Sequence, residues 1–398
     1  MHDEPVSDPL PPLPDLVSPP AQLPAAVAEL RARVRAFLAE ELAAGAWQPR
    51  PDAWLSAWDE RFTKELARRG LIGITIPTEY GGRGGTQLER YVVIEELLAA
   101  GAPVAAHWIA DRQVAPALLR FGSPKLREKY LPRIAAGECY FGIGMSEPDT
   151  GSDLASVRSQ ATRVEGGWRL NGAKIWTSGA HRAHAFIALV RTSPRDEHNR
   201  HAGLSQFVVD LDWPGVQIRP IPLLTGEHHF NEVVFDDVFV PDDQVLGEVG
   251  AGWHQVTSEL AYERSGPERF LSTFPLLAAL VGELAAAGEA DAGARRQLGF
   301  LVARLWTLRQ LSLGVAAELA AGKTPDLAAA LVKELGTRFE SEIIDAARLL
   351  VRVPPDPQAE GGFARLLADA VLHAPGFTLR GGTTEVLRGI IARGLGLR

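Results

Sequence analysis

Helices, then short antiparallel strands, then helices again: this order predicts an α+β, mostly α fold. Three observations predict it. Apolar residues recur at helical spacing through the first third of the chain. Between about 139 and 242 the period shortens to two, with turn residues between short runs. From about Trp253 to the end, alanine and leucine dominate and the helical period returns, which suggests an antiparallel bundle. The 398 residues suit two or three domains or one composite unit.

Residues 1–24 hold eight prolines among acidic and small residues. Such a stretch cannot pair its backbone regularly and has little to bury, so it reads as a flexible arm. An N-terminal helical domain is expected over 25–138. Leu30, Val34, Leu38 and Leu42, with Phe37 beside them, mark an apolar stripe in a largely helical stretch over 25–60. A second helix is predicted around Trp54–Arg69, ending at Gly70. Pro77 with Gly81, Gly82, Gly84 and Gly85 marks a loop. Helices follow over 87–100 and Asp111–Leu119, and one more opens at Ser123 (N-cap) and Pro124 (first position).

A β domain is expected over 139–242. WRLNGAKIW alternates around Asn171-Gly172, which reads as a hairpin turn. Strands are predicted over 185–192, 204–212, 215–221 and 230–240. The C-terminal bundle, 243–398, should hold helices over 253–288, 291–320, 325–352 and 383–394.

Composition narrows the function. The formal net charge is −8, so a generally basic nucleic-acid surface is not expected. The single cysteine, Cys139, allows no disulfide framework and no thiol-rich metal site, and it suits a reducing cytoplasm. No apolar run reaches the ~18 residues of a membrane span. The N-terminus lacks a signal peptide's charged start and apolar stretch. The ten histidines are scattered. His228 and His229 are adjacent, poor spacing for a metal on one helix face, and His181 and His184 read as surface groups, so no metal is expected. No nucleophile elbow, P-loop or Rossmann fingerprint occurs.

Two segments carry the chemistry: GIGMSEPDTGSD at 142–153 and NGAKIWTSGA at 171–180. The glycine-rich loop lets backbone approach a ligand. Met145, Ser146 and Ser152 offer backbone or hydroxyl groups, Trp176 a flat apolar face, and Thr177 and Ser178 hydroxyls. These segments resemble the two signatures of acyl-CoA dehydrogenases. IPTEYGG at 76–82, GSPKLREKYLPRIAAGE at 122–138 and FNEVVFDDVFVPDDQVLGEVGAGW at 230–253 resemble further parts of that family. The resemblance covers about 25–270 well and is looser afterwards.

The resemblance implies FAD as cofactor. It implies that Met145 and Ser146 meet the flavin edge within a loop that includes Gly151. Trp176 would pack against the ring, with Thr177 beside it, and Ser178 would bond near N5. Ser152 would sit near the acyl-CoA or flavin phosphates. The implied reaction removes a proton alpha to a thioester and a hydride from the beta carbon. The base should be a carboxylate in an apolar pocket, where burial raises its pKa.

Many family members carry that base in a Tyr-Glu-Gly-Thr segment. Here the segment reads Arg380-Gly381-Gly382-Thr383, so Gly381 stands where the glutamate would be. Gly381 can still offer its N–H to the thioester oxygen. Isovaleryl-CoA and long-chain acyl-CoA dehydrogenases carry the base on another helix, before an arginine. Glu263-Arg264 matches that pattern, which makes Glu263 the expected base and Arg264 a substrate-pocket residue. The alternative is that Glu259 and Glu263, four apart, share a solvated helix face. Arg295 and Gly299 match the family's adenosine-binding arginine segment, but Leu298 replaces its aromatic, and no Gly-Gly-x-Gly follows between 340 and 375. Thr383, Thr384 and Glu385 form a helix start suited to a phosphate or to the cofactor. The implied partners are an acyl-CoA substrate and an electron-transfer flavoprotein. The expected assembly is a homodimer or homotetramer, or a heteromer. The alternatives are a flavin oxidase or monooxygenase on the same fold, or a non-catalytic partner subunit.

Overall fold

A computed structural model describes residues 23–288 and 291–397, with the backbone alone at 259–263. All but the last two residues of the proline-rich arm lie outside the described residues.

The fold is α+β and mostly helical. Helix α1 (Ala25–Ala43) buries Val27, Leu30, Val34, Phe37 and Leu38. Leu42, expected on the same stripe, is exposed because α1 ends one residue later. The predicted helix Trp54–Arg69 is two helices, α2 (Ala53–Ser56) and α3 (Glu60–Arg68). The break has a local cause. In an unbroken helix the Phe62 amide would bond the carbonyl of residue 58; the Asp59 carboxylate takes it at 2.9 Å and starts a new helix.

Helix α4 (Gln87–Ala99) opens on a capping box formed by Thr86 and Glu89. The helix expected from Asp111 begins earlier. It runs as α5 (Ala105–Ile109), a π turn (Ala110–Val114) and α6 (Ala115–Phe121). In α7 (Pro124–Ala135) the Ser123 side chain caps the Leu126 amide at 3.2 Å, with Pro124 first, as expected.

Eight strands form one sheet: β1 (Phe141–Gly144), β2 (Gln160–Val164), β3 (Gly167–Ser178), β4 (Ala185–Arg191), β5 (Leu204–Asp210), β6 (Val216–Ile221), β7 (Phe230–Pro241) and β8 (Val245–Leu246). The order is β6-β7-β3-β2-β4-β5-β8, with β1 on β4. Not every pair is antiparallel: β1 runs parallel to β4, and β2 meets β4 in parallel at one residue pair.

Asn171-Gly172 is not a turn. It lies inside β3, and the hairpin closes instead at Glu165-Gly166, where Val164 pairs with Gly167. The register of β3 on β7 slips between Leu170 and Gly172. Gly172 supplies the φ of +139° that this bulge needs. A Cβ at Gly172 would lie 2.3 Å from Ser159 Oγ. Gly172→Ala is therefore expected to lower stability by about 1–3 kcal/mol, read from the urea midpoint at constant slope. An unmoved midpoint would show that Ser159 gives way freely.

The predicted helix 253–288 is likewise two: α8 (Gly252–Arg264) and α9 (Phe274–Ala286). Between them Glu268 turns inward to a buried pair with Arg112, Nη2 to Oε1 at 2.6 Å. Then come α10 (Ala292–Ala320), α11 (Asp326–Leu350), the unexpected α12 (Gly362–Phe377), and α13 (Thr384–Gly394). The two helical blocks share one core, in which Phe37, Phe62 and Trp108 cluster with Phe270, Phe339 and Phe377. The sheet has its own core around Trp168, Phe186, Phe207 and Phe235. No helix among the described residues is long and apolar enough to cross a membrane.

Candidate active site

The two signature segments meet at the end of β1. The Ile175 amide donates to the Ser146 carbonyl at 2.9 Å. Lys174 Nζ donates to the Met145 carbonyl at 3.2 Å and to Glu147 Oε1 at 2.8 Å. Glu147 also accepts from the amides of Arg158 (2.6 Å) and Ser159 (2.9 Å). Both side chains are buried. Burial lowers the Lys174 ammonium to about 8 against the pull of Glu147. Burial works upward on Glu147, but Lys174 and the amides outweigh it and hold the carboxyl below its usual range. The ion pair pins the Met145–Glu147 loop against the strand that carries Trp176, Thr177 and Ser178. Sequence reading found the segments but missed this tie.

Trp176 adopts a φ of +62°. A bulky residue there is an outlier costing of order 1–3 kcal/mol, and such strain clusters at functional sites. Its indole is 52% exposed and meets the Phe230 ring edge-on at 5.8 Å. Thr177 Oγ1 is buried without a hydrogen-bond partner. Thr177 is turned into the sheet, whereas the exposed indole and the half-buried Ser178 offer a flat face and a polar edge, which fits a flat heterocycle. Gly151 and Ser152 are exposed, past the turn that closes between Glu147 and Thr150. A Cβ at Gly151 would meet nothing within 4 Å, so the chain's own packing leaves that face open.

The candidate catalytic positions converge from α8 and the turn before α13. Arg264 is buried, and its Nε donates to the Gly381 carbonyl at 3.3 Å. Gly381 and Gly382 have φ of +66° and +97°. Glu263 precedes Arg264 on α8, but its side chain lies outside the described residues, as does that of Glu259. Thr383 caps α13 by accepting from the Val386 amide at 3.4 Å. Glu385 is exposed in the first turn, its carboxyl held below the usual range by its own amide and by Thr383. Arg295 is exposed near the start of α10.

Behind Gly381 lies a buried charge network that no spacing in the sequence announced. Arg380 donates to Asp52 Oδ2 at 2.5 Å and to Ser272 Oγ at 3.2 Å. Its guanidinium lies over the rings of Trp54 (4.6 Å) and Phe377 (4.9 Å). His373 Nδ1 stands 3.4 Å from Asp52, and its Nε2 3.5 Å from Glu227, which also pairs with Arg50. Asp52 comes from the N-terminal helices, Glu227 from the β6–β7 loop, and His373 and Arg380 from the bundle. Burial works to raise Asp52, but Arg380 and His373 bring it down to about 2. Burial works to lower His373, but its two carboxylates raise it to about 9. Glu340, buried beside Ser272, is pushed up to about 7 by burial.

A cavity of about 350 Å³ opens beside Ser178, between the Trp47–Asp59 segment, Pro103–Ile109 and the edge of the sheet. Three histidines, His181, His228 and His229, stand at its wall. The His181 and His228 rings stack at 4.0 Å, and His229 is buried. His181 and His184 are exposed, as a surface role requires.

Comparisons with known proteins identify the family. Residues 25–138 match the acyl-CoA dehydrogenase N-terminal domain, 142–238 its middle domain and 250–396 its C-terminal domain. The chain is 34% identical over 346 residues to the acyl-CoA dehydrogenase FadE34 of Mycobacterium tuberculosis, covering 85% of this chain but 46% of that protein, about half its length. It is 34% identical over 339 residues to FadE29 of the same organism, covering 83% and 86% of the two chains. Among solved structures, the ChsE4-ChsE5 complex from Mycobacterium tuberculosis superposes with a TM-score of 0.78 at 27% identity, covering 94% of this chain and 98% of that one. Matched in three successive domains that together span residues 25–396, the chain belongs to the acyl-CoA dehydrogenase family.

Proposed function

We propose that the chain oxidises an acyl-CoA thioester to the 2,3-enoyl-CoA, with FAD as cofactor. The observation that carries this reading is the Arg264–Gly381 contact, which holds the end of α8 against the glycine turn. Glu263 on α8 removes the alpha proton. The Gly381 N–H donates to the thioester oxygen, where negative charge develops. Arg264 and Arg380 fix the turn that presents it. Met145, Ser146, Trp176, Thr177 and Ser178 would hold the flavin ring, and the open face at Gly151 and Ser152 admits phosphates. FAD, when bound, supplies the hydride acceptor for the beta carbon. An electron-transfer flavoprotein is the onward acceptor, and the exposed Trp176 indole is an aromatic surface beside the cradle.

The test is anaerobic bleaching of the flavin absorbance by a panel of acyl-CoA thioesters, with product identified by mass. Bleaching with enoyl-CoA formation is expected. A flavin that stays oxidised with every thioester would overturn the reading. Oxygen consumption without an added acceptor would favour the oxidase alternative.

A second reading, one subunit of a heteromer, is supported by α10. Val302 and Trp306, four apart on one face, are 55% and 62% exposed there, on the helix that carries exposed Arg295. An apolar surface of this kind suits a partner subunit. It would complete the adenosine half of the cofactor site. A chain that purifies colourless and gains FAD absorbance only with a second polypeptide supports this reading.

Lys174→Met tests the cradle. Glu147 would keep its two amide donors but lose its counter-charge, and the loop would loosen. FAD affinity is expected to fall about tenfold, or about 1.4 kcal/mol, by fluorescence titration. Unchanged affinity would show that the loop holds its shape without the ion pair.

A further inference from the structure

We propose that Asn231 is a positioning residue for the flavin edge, holding the Thr177–Gly179 backbone so that Trp176 and Ser178 face the ring. This rests on the flavin-cradle reading above and adds the residue that sets its edge. The cradle strand carries one residue too many. From Lys174 to Thr177, β3 takes three steps where β7, from Val233 to Asn231, takes two. The surplus bulges out, and Trp176 takes its φ of +62° there. Such strain persists only where its surroundings over-determine it. Lys174 holds the near end of the bulge through the Met145 carbonyl and Glu147. The far end requires a hold of its own.

Asn231 supplies it. Asparagine is depleted in strands, yet this one is fully buried within β7. Its Nδ2 donates to the Thr177 carbonyl at 3.0 Å and lies 3.3 Å from the His229 carbonyl. The Gly179 amide donates to that same His229 carbonyl at 2.7 Å. Peptide groups are planar. The bond to Thr177 therefore fixes the plane between Thr177 and Ser178, and the bond from Gly179 fixes the plane between Ser178 and Gly179. Ser178 is left with no free backbone dihedral. Nor can the chain drift outward, since a Cβ at Gly179 would lie 2.6 Å from the Trp58 ring.

The same contacts fix which way the amide points. Two carbonyls face Nδ2, and carbonyls only accept, so the amide oxygen must lie on the other side. There Oδ1 meets His228 Nε2 at 2.7 Å, and that nitrogen must carry a hydrogen. Nδ2 also meets His181 Nδ1 at 3.2 Å, and this nitrogen must be bare. The two imidazoles, stacked at 4.0 Å, are thereby both set as Nε2–H tautomers.

The test uses the full-length chain with FAD and with riboflavin, which shares the ring and lacks the adenosine. Asn231→Leu keeps the bulk and removes every polar atom. Asn231→Asp keeps the shape but turns a repelling oxygen on the two carbonyls. Each is expected to weaken riboflavin and FAD alike by about tenfold or more in fluorescence titration. Each should also shift the midpoint potential of bound FAD by at least about 30 mV, a tenfold change in the ratio of affinities for its two redox states. A residue that only supported the fold would leave that ratio alone. Unchanged riboflavin affinity or an unmoved potential in Asn231→Asp would overturn the inference. The unaltered chain gives a second measurement that does not depend on a variant folding. Imidazole nitrogen NMR spectra, taken above the usual histidine pKa of about 6.5, should show His181 and His228 both as Nε2–H tautomers. A hydrogen on His181 Nδ1 would overturn the inference too, because the amide oxygen would then face the Thr177 carbonyl. An unaltered chain that takes up neither flavin would instead sink the cradle reading itself, and this inference with it.

Discussion

Asp52→Ala is expected to cost about 3–5 kcal/mol of unfolding free energy, because it strands buried cations without their counter-charge. Asp52 is 1% exposed and receives both Arg380 and His373. Asp52→Asn keeps the shape but not the charge and should cost nearly as much. A loss under about 1 kcal/mol in urea titration, the range of exposed pairs, would show that solvent screens the network.

The network also sets a pH profile. Asp52 and Glu227 are lowered from 3.8 and 4.5 to about 2, so their contribution is present above those ordinary values and lost as pH falls towards 2. His373 is raised from 6.5 to about 9, so its contribution is full below 6.5 and lost as pH rises through 9. Glu340, raised from 4.5 to about 7, acts against folding as pH climbs between those values. Stability from this cluster therefore peaks near pH 4.5 and declines to about 9. In thermal melts, Glu340→Gln should flatten the lower part of that decline, and His373→Gln the upper part. A variant that keeps the unaltered chain's slope throughout its window would contradict that variant's assignment.

The sequence carried the architecture further than it carried the site's supports. Long periodic helices such as α10 and α11 read correctly because one apolar face repeats over many turns. Helix α12 was hidden by the proline and glycine run before it and by Pro375 inside it. Asn171-Gly172 misled because the local pattern of a hairpin and of a bulge is the same; pairing with β7 and the nearness of Ser159 decide between them. The flavin-cradle segments were legible as motifs. No motif marks Lys174 as half of an ion pair, yet it shares parity with buried Trp168 and Leu170, and that signal was available. Asp52 and Arg380 lie 328 residues apart, and no periodicity links them. The cavity was invisible for the same reason, since its walls come from five separate stretches of chain.

Glu263→Gln is expected to lower kcat by about 10²–10⁴-fold, the usual worth of a positioned general base. KM and the flavin spectrum should hold, because the amide keeps the side chain's size. Activity within tenfold of the unaltered chain would sink Glu263 as the base. Gly381→Glu in the Glu263→Gln background then asks whether the two positions face one substrate carbon. Arg264, the neighbour of Glu263, meets the Gly381 carbonyl across 3.3 Å, so the two positions lie on facing elements. Recovery should be partial. The φ of +66° at Gly381 penalises any side chain by about 1–2 kcal/mol, and a glutamate there also crowds the N–H offered to the thioester oxygen. Recovery of even about tenfold would tie both elements to one reaction centre. A double variant as inactive as Glu263→Gln, with its flavin still bound, would mean that the glycine turn shapes the pocket without facing the alpha carbon.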